Sequence, residues 1–336
     1  MRSLALGIGV MVACVSCTVA APEASFACLE EGAACSDGNP CTSGDSCQAG
    51  VCVGGTPLDY DACCAAIGGP TDGVCASHEG GDWHLIPSGK LWMGCNGAVD
   101  LSCQSNESPQ HEVDLSAPFW IERTEVTVAA WKACAEAGAC DTLGTGGEAC
   151  NWGVAGREDH PINCVNWHQA TAYCAWVGGE LPTEAQWELA ARGRCEDNPT
   201  ADDGTCAEAM RIWPWGDEAP ACGETSIYDG GEGAGCNKGR TWPAGDGTAK
   251  GLSPFGLKDM AGNVWEWTAD SYDESAYTEI AKTPAVDPLI TSGEGRKTRR
   301  GGGFKSAVGA TRASTRAGEL AEAAGAAIGF RCVRNL

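Results

Sequence analysis

The sequence predicts an α+β fold in which a few helices pack on small antiparallel sheets and long loops connect them. Three segments combine helical spacing of apolar residues with capping residues, whereas every strand-like segment is short. Glycine is abundant, with 47 among 336 residues, and 22 cysteines are available for crosslinks. We therefore expect a loop-rich domain, preceded by a small disulfide-rich module.

The N-terminus has the pattern of a secretory signal peptide, assigned to residues 1–21. Arg2 precedes an apolar run that is too short to span a bilayer, and small residues follow it. Cys17 is a candidate lipid-attachment site, and plain cleavage near Ala21 or Ala27 is the alternative. Both alternatives predict an exported protein that is secreted, periplasmic or lipid-anchored at the cell surface.

Residues 28–75 form the predicted disulfide-rich module. Eight cysteines fall in this polar stretch among Asp-Gly and Ser-Gly turn signals, without apolar periodicity. A segment with so little core must be held by crosslinks, and in an exported chain cysteines indicate disulfides before zinc. We expect this module to be a stalk or spacer rather than a binding module.

Residues 80–336 form the second predicted domain and contain the three helices. The first follows Thr127, the second follows Asn166 and stops at a Gly-Gly pair, and the third runs from Thr183 to Gly193. The segment "WHLIPSGKLWMG" is typical of a β-hairpin, and "APFWIERTEVT" of a strand that leads into a helix.

The charge balance excludes two classes of partner. Asp and Glu total 45 against 22 Lys and Arg, for a net charge of −23. The chain has no cationic surplus with which to displace phosphate counterions or to bind anionic lipid. We therefore predict no nucleic-acid partner, and no later segment is apolar enough to predict a membrane span.

Five sequence blocks carry a resemblance to a known family. They are "SGKLWMGC" (88–95), "HEVDLSAPFWIERTEVTVAAW" (111–131), "HPINCVNWHQATAYCAWVGGELPTEAQWELAARG" (160–193), "SPFGLKDMAGNVWEWTAD" (253–270), and "RRGGGFKSAVGATRASTR" (299–316) with "IGFRC" (328–332). Together they resemble the formylglycine-generating enzyme family, also called sulfatase-modifying factors. The resemblance implies an irregular, duplicated C-type-lectin-like fold over residues 80–336.

The same resemblance implies a chemistry and its ligands. The family oxidises a cysteine of an exported sulfatase to formylglycine, using molecular oxygen and a copper(I) ion held by two cysteine thiolates. In this chain the two thiolate positions fall on Ser306 and Thr311, and no cysteine lies between Cys236 and Cys332. Hydroxyl groups are poor ligands for so soft an ion. We therefore predict that copper is not bound and assign no catalytic residue.

Calcium is the predicted ion. Asp259 and Glu266 supply carboxylate oxygens, and Gly262 permits a sharp turn that can direct its own carbonyl and that of Val264 to one centre. The resemblance makes these four residues calcium-binding positions and implies a weaker second site that begins at Asn237. The alternative is a turn between strands, packed by the neighbouring tryptophans.

The resemblance also implies a disulfide between Cys174 and Cys332. It would close a long loop and contribute on the order of 4–5 kcal/mol in the loop-entropy model. The alternative is that each cysteine pairs with a local one.

Four arginines of the C-terminal blocks have two possible roles. Within the loop-rich core they would bridge buried carboxylates such as Glu266 or Asp270, and on a groove they would bind an anionic ligand. We expect the first role for all four, which are Arg300, Arg312, Arg316 and Arg331.

These features support three functional hypotheses. The favoured one is a calcium-stabilised binding module at the cell exterior, whose partner is an envelope protein, a peptide or a glycan. The alternative is an active formylglycine-generating oxidase. The third is a disulfide-stapled structural protein of the cell surface.

Overall fold

The computed structural model describes most of the predicted second domain. The described ranges are 82–144, 149–195, 210–231, 233–246, 250–293 and 295–336, with short strand segments at 42–43, 46–48, 51–53, 56–57 and 76–77. The predicted signal peptide, Cys17 and most of the disulfide-rich module lie outside the described residues. Within the described part, no helix combines the length and apolar character needed to cross a bilayer.

The three predicted helices are confirmed, and the described residues also contain a short helix that follows them in the chain. The helices are α1 (Val128–Glu136), α2 (Trp167–Trp176), α3 (Glu184–Arg192) and α4 (Ala276–Ile280), with 3-10 turns at Ser105–Glu107 and Val308–Thr311. The side chains of Thr127, Asn166 and Thr183 each accept a hydrogen bond from the N–H three residues on, as the capping pattern predicts.

The strands are short and form several small sheets. They are β1 (Thr42–Ser43), β2 (Ser46–Gln48), β3 (Val51–Val53), β4 (Thr56–Pro57), β5 (Ala76–Ser77), β6 (Trp83–Ile86), β7 (Gly89–Met93), β8 (His111–Leu115), β9 (Phe119–Glu122), β10 (Trp265–Ser271), β11 (Ala285–Val286), β12 (Arg296–Arg300), β13 (Arg316–Leu320), β14 (Ile328–Gly329) and β15 (Val333–Asn335). The described sheet orders are β13-β12-β10-β14, β15-β9-β6-β5, β11-β8-β7, β1-β4 and β2-β3.

The predicted hairpin over residues 83–94 is wrong. β6 pairs with β9, which places Leu85 opposite Trp120, whereas β7 pairs with β8, which places Leu91 opposite Val113. The two neighbouring strands therefore belong to different sheets. Pro87 between them has no N–H to donate to a ladder, and each strand buries its leucine against a distant partner instead.

Helix α3 lies at the centre of the domain, and all nine of its residues are buried. It packs against β7, β8, β10 and β12. Its apolar side chains fill the core, and its charged ones are buried with them. This helix therefore brings buried charge into the middle of the fold, where it must find partners.

Disulfides crosslink loops of the domain and tie two of its helices to neighbouring segments. Cys174 of α2 and Cys332, which follows β14, form a disulfide across a sequence separation of 158. It joins α2 to the C-terminal segment, and both sulfurs are buried. The other disulfides that join described cysteines are Cys95–Cys103, Cys134–Cys140, Cys150–Cys164 and Cys222–Cys236.

Candidate functional site

The loop after β12 carries Ser306 and Thr311, the two positions at which the resemblance implies copper ligands. Gly301 and Gly302 both have positive φ, at 88° and 74°. A Cβ added at Gly302 would lie 2.7 Å from the carbonyl oxygen of Ala310, so the chain folds back on itself at a distance that only glycine permits. The return of the chain brings residues 301–311 into one compact loop with Ser306 and Thr311 on it.

Both hydroxyls of this loop are held by tryptophan side chains. The Oγ of Ser306 accepts hydrogen bonds from Nε1 of Trp265 at 3.1 Å and from the N–H of Gly303 at 3.0 Å. The Oγ1 of Thr311 accepts from Nε1 of Trp213 at 3.2 Å and donates to the carbonyl of Val308 at 2.8 Å. Each hydroxyl is therefore part of a neutral hydrogen-bond network.

Copper(I) does not fit this pair of residues. The ion prefers soft sulfur ligands, and both positions offer hard hydroxyl oxygens that already have protein partners. Elsewhere in the described part of the chain, Cys95, Asp100 and Cys103 lie close enough together to share an ion. The two sulfurs are joined in a disulfide, so they are not thiolates.

The four C-terminal arginines are paired with buried carboxylates, as predicted, but mostly with different ones. Arg316 forms a bidentate pair with Glu184 at 2.9 and 2.6 Å, and Arg300 bonds Glu184 at 3.1 Å and also contacts Glu188. Asp270 instead accepts from the backbone N–H groups of Glu184 and Ile290. These contacts give Arg300 and Arg316 a structural role.

The other two arginines follow the same rule. Arg312 forms a bidentate pair with Glu107 at 2.7 and 2.8 Å and bonds Asp100 at 2.8 Å. Arg331 forms a bidentate pair with Glu266 at 2.7 Å for both bonds. Planar bidentate pairs of this kind are the strong form of the arginine–carboxylate contact.

Glu184 shows the effect of these arginines on a buried acid. Burial raises the pKa of its carboxyl, but the charges of Arg316 and Arg300 outweigh it, and the pKa lies below its usual value. Glu184 is therefore ionised inside the core. Its charge is compensated by two guanidinium groups.

The segment of the predicted calcium site forms the sharp turn that the sequence indicates. Asp259 has a φ of 59° and Gly262 a φ of 94°. A Cβ added at Gly262 would lie 2.4 Å from the carbonyl oxygen of Ile227, so this position also requires glycine. The carboxylate of Asp259 is buried and accepts from the N–H of Gly245.

Glu266, the fourth predicted calcium ligand, already has protein partners. Its carboxylate is bidentate to Arg331 and also accepts from Nε1 of Trp187 at 2.7 Å. A calcium ion bound here would share this carboxylate with Arg331, with which Glu266 forms a fully buried ion pair. The calcium role of Asp259, Gly262, Val264 and Glu266 stays a prediction.

Asn237, the start of the predicted second calcium site, lies on an exposed turn. Its φ is 66°, and its N–H donates to the carbonyl of Gly233 at 3.0 Å. This site also stays a prediction.

Sequence reasoning missed Glu125. Its side chain is 1% exposed, and neither carboxylate oxygen has a hydrogen-bond partner among the described residues. Burial, and next the carboxylate of Asp259, raise the pKa of Glu125 well above its usual value, with Glu266 adding to the effect. The signal in the sequence is an acidic residue directly before the apolar pattern of α1, in "RTEVTV".

Comparison with known proteins identifies the domain. Residues 75–336 match the family described as the sulfatase-modifying factor enzyme 1-like domain. The chain is 29% identical over 295 residues to a formylglycine-generating enzyme of Streptomyces coelicolor, covering 74% of this chain and 88% of that protein. It is 30% identical over 192 residues to the bovine inactive C-alpha-formylglycine-generating enzyme 2, covering 54% of this chain and about half, 52%, of that one.

A solved structure shows the same fold. PvdO from Pseudomonas aeruginosa superposes with a TM-score of 0.60 at 22% identity, covering 78% of this chain and 98% of that one. The predicted loop-rich α+β fold of the C-type-lectin-like type is therefore confirmed. The sequence blocks, the fold and the match over residues 75–336 agree. The chain belongs to the sulfatase-modifying factor family, also called the formylglycine-generating enzyme family.

Proposed function

We propose that this protein is an exported binding module built on the formylglycine-generating enzyme fold, and that it lacks the copper-dependent oxidase activity of that fold. One observation carries the proposal. The two positions at which the family binds copper carry the hydroxyls of Ser306 and Thr311, and each hydroxyl is engaged by a tryptophan. Without a soft ligand pair, this loop offers no site at which copper(I) could activate oxygen.

The surface around this loop has the composition of a recognition surface. Lys305 and Val308 are exposed beside Ser306. Trp213 and Trp215 are half-buried, with nearly parallel rings whose centroids are 6.3 Å apart. Large aromatic side chains with a polar end are favoured where a protein binds a partner. The proposed partner is a peptide, a glycan or an envelope protein at the cell exterior, and calcium remains the proposed stabilising ion.

A second candidate function is the oxidase itself. The match to the Streptomyces coelicolor enzyme over 88% of its length favours it. The bovine relative favours the binding module, because its name describes an inactive member of the family. The two candidates differ in one product, an aldehyde formed from a peptide cysteine.

The deciding experiment offers a substrate peptide to the purified protein with its disulfides formed. Copper(I) is added together with a peptide that contains Cys-x-Pro-x-Arg, and the product is followed by mass spectrometry. We expect no aldehyde from the wild type, and no copper(I) taken from a colorimetric chelator. Aldehyde formation by the wild type would overturn the proposal.

A pair of double variants tests the reason for inactivity. Ser306→Cys with Thr311→Cys should take copper(I) from the chelator, because it restores two thiolates five positions apart. The matched control, Ser306→Ala with Thr311→Val, removes both hydroxyls without adding sulfur and should take none. Equal copper binding by the two double variants would show that the site lies elsewhere.

A further inference from the structure

Strand β12 carries concentrated positive charge in an acidic protein. Its sequence, Arg296–Arg300, is RKTRR, whereas the whole chain has a net charge of −23. Successive side chains of a strand point to opposite faces of the sheet. Arg300 is fully buried on the face that packs against α3, where it bonds Glu184. Lys297 and Arg299 lie on the other face, here called the outer face, and both are half-buried.

The outer face has an excess of positive charge around these two cations. Residues that lie opposite each other in a ladder share a face of the sheet. Four residues of β10 and β13 lie opposite Lys297 and Arg299, and they are Ser271, Trp267, Ala317 and Glu319. Glu319 is the one acid among these four. At the paired positions, two cations therefore share one carboxylate.

Arg299 has unused hydrogen-bond donors. Its Nη2 lies 3.4 Å from Oε2 of Glu319, which is long for a hydrogen bond between charged groups. Its Nε is buried and has no hydrogen-bond partner among the described residues. The side chain is 21% exposed, so part of the guanidinium is accessible from outside. An anion on the outer face can therefore reach a cation that the protein itself pairs only loosely.

The pKa values of the cations agree with this geometry. Burial lowers the pKa of Arg299, although the charge of Glu319 opposes the shift, and burial lowers the pKa of Lys297 as well. Burial also acts on Arg331, but the carboxylate of Glu266 outweighs it, and the pKa of Arg331 lies above its usual value. The two cations of the outer face are therefore less fully compensated than Arg331.

Indole rings hold both cations in position. Nζ of Lys297 lies 4.2 Å from the centroid of the Trp167 ring, and Cζ of Arg299 lies 4.9 Å from that of Trp265. Both distances are within the range of a cation–π contact. The N–H of each indole is itself hydrogen-bonded to the protein, so the rings are fixed. Cations that are already ordered lose less conformational entropy when a ligand binds.

The spacing of the two cations matches an extended peptide. Positions two residues apart on one strand are separated by about 7 Å along it. Acidic side chains at alternate positions of an extended peptide have the same spacing and point to the same side. Lys297 has three N–H donors and gives one to the carbonyl of Ala269 at 3.1 Å. Both cations therefore have donors for a carboxylate.

The outer face is continuous with the loop of residues 301–311. Trp265, which lies beneath the guanidinium of Arg299, donates to Ser306 of that loop at 3.1 Å. We propose that the outer face binds an extended acidic segment of a partner protein, whose carboxylates at alternate positions pair with Lys297 and Arg299. This inference rests on the proposed function, because it names the chemistry of the partner that the binding module takes.

The experiment measures the binding of a synthetic peptide to the full protein with its disulfides formed. The probe is a short fluorescent peptide in which aspartate alternates with threonine, and the matched probe has lysine in place of each aspartate. At physiological ionic strength the Debye length is about 8 Å, so nearby charges dominate. The net charge of −23 favours the lysine peptide. We nevertheless expect the aspartate peptide to bind about tenfold more tightly, by fluorescence anisotropy.

The key variants are Arg299→Gln and Lys297→Gln. Each removes one charged donor and should weaken binding of the aspartate peptide about tenfold. Arg299→Lys keeps the charge and should lose less affinity than Arg299→Gln. Lys90→Gln, which changes a strand lysine of a different sheet, is the matched control and should bind as the wild type does. The Tm of each variant shows whether it is folded, and Lys297→Gln decides by itself if Arg299→Gln does not fold.

Three results would overturn the proposal. The first is a lysine peptide that binds as tightly as the aspartate peptide or more tightly. The second is wild-type affinity in both glutamine variants. The third is an acidic polysaccharide that binds more tightly than the peptide and depends on Arg299, which would make the partner a glycan. The probe contains no cysteine, so its binding is independent of aldehyde formation, and a failure here is distinguishable from a failure of the proposed function.

Discussion

Glu184 and Glu125 are both 1% exposed, yet they occupy opposite electrostatic environments. Glu184 receives hydrogen bonds from Arg316 and Arg300 and from the hydroxyl of Tyr277. Glu125 receives none among the described residues. The pKa of Glu184 lies below its usual value, because the arginines outweigh its burial, and the pKa of Glu125 lies well above.

The difference shows that burial alone does not decide the charge of an acid. Desolvation acts on both residues in the same direction, and the partners decide the outcome. In one region the fold supplies the compensating cations from its own sequence. In the other, the nearby cation Arg331 directs its N–H groups to Glu266 and to backbone carbonyls, and the pKa of Glu125 stays raised.

The largest effect is expected for Glu184→Gln. The change leaves Arg316 and Arg300 with less compensating charge in the core, which should lower the free energy of unfolding by about 3–5 kcal/mol. Urea denaturation without calcium measures it, with Glu125→Gln as the comparison. Since the carboxylate of Glu125 has no hydrogen-bond partner to lose among the described residues, its variant should be no less stable than the wild type. If the free energy of unfolding of Glu184→Gln lies within about 1 kcal/mol of the wild-type value, the contrast between Glu184 and Glu125 is contradicted.

An intermediate effect is expected for Glu122, which has one strong donor. Its carboxylate accepts from the N–H of Cys332 at 2.8 Å. Burial raises its pKa to about 7, although this N–H and the charge of Arg331 oppose the shift. The folded state therefore holds the proton more tightly than the unfolded state. The stability contributed by Glu122 is present below the usual pKa of glutamate and is lost as the pH rises to about 7.

Glu122→Gln removes this titration and keeps an acceptor for Cys332. As the pH rises from 5 to 8, the wild type loses this stability and the variant does not. The difference in free energy of unfolding should therefore shift by on the order of 1–3 kcal/mol in favour of the variant. Urea unfolding at several pH values tests this result. A difference that stays constant across the range would mean that Glu122 does not titrate there.

The smallest effect on the free energy of unfolding is expected for the loss of an uncharged hydrogen bond. Trp213→Phe removes the hydrogen bond to Thr311, which leaves this buried hydroxyl with only its bond to Val308, and should cost about 1 kcal/mol. Trp215→Phe is the matched control, because its indole N–H bonds the carbonyl of Glu218 at an exposed position. Equal losses for the two variants would show that ring packing, rather than the Thr311 contact, sets the energy.

Local features of this protein could be predicted from the sequence. The caps of α1, α2 and α3 act between residues three positions apart, so Thr127, Asn166 and Thr183 could be identified without knowing the fold. The hydroxyls at positions 306 and 311 also follow directly from the sequence once the family blocks are aligned with it. Chemistry that depends on residue type alone can be predicted without the tertiary structure.

Only the tertiary structure decided which charges meet. Arg312 pairs with Glu107 across 205 positions and Arg300 with Glu188 across 112, so no local pattern could name these partners. The separation of β6 from β7 arose in the same way, since each strand buries its side chains against a distant one. Glu125 is the clearest case. Its lack of a donor among the described residues follows from where Arg331 directs its N–H groups, and only the packed core determines that direction.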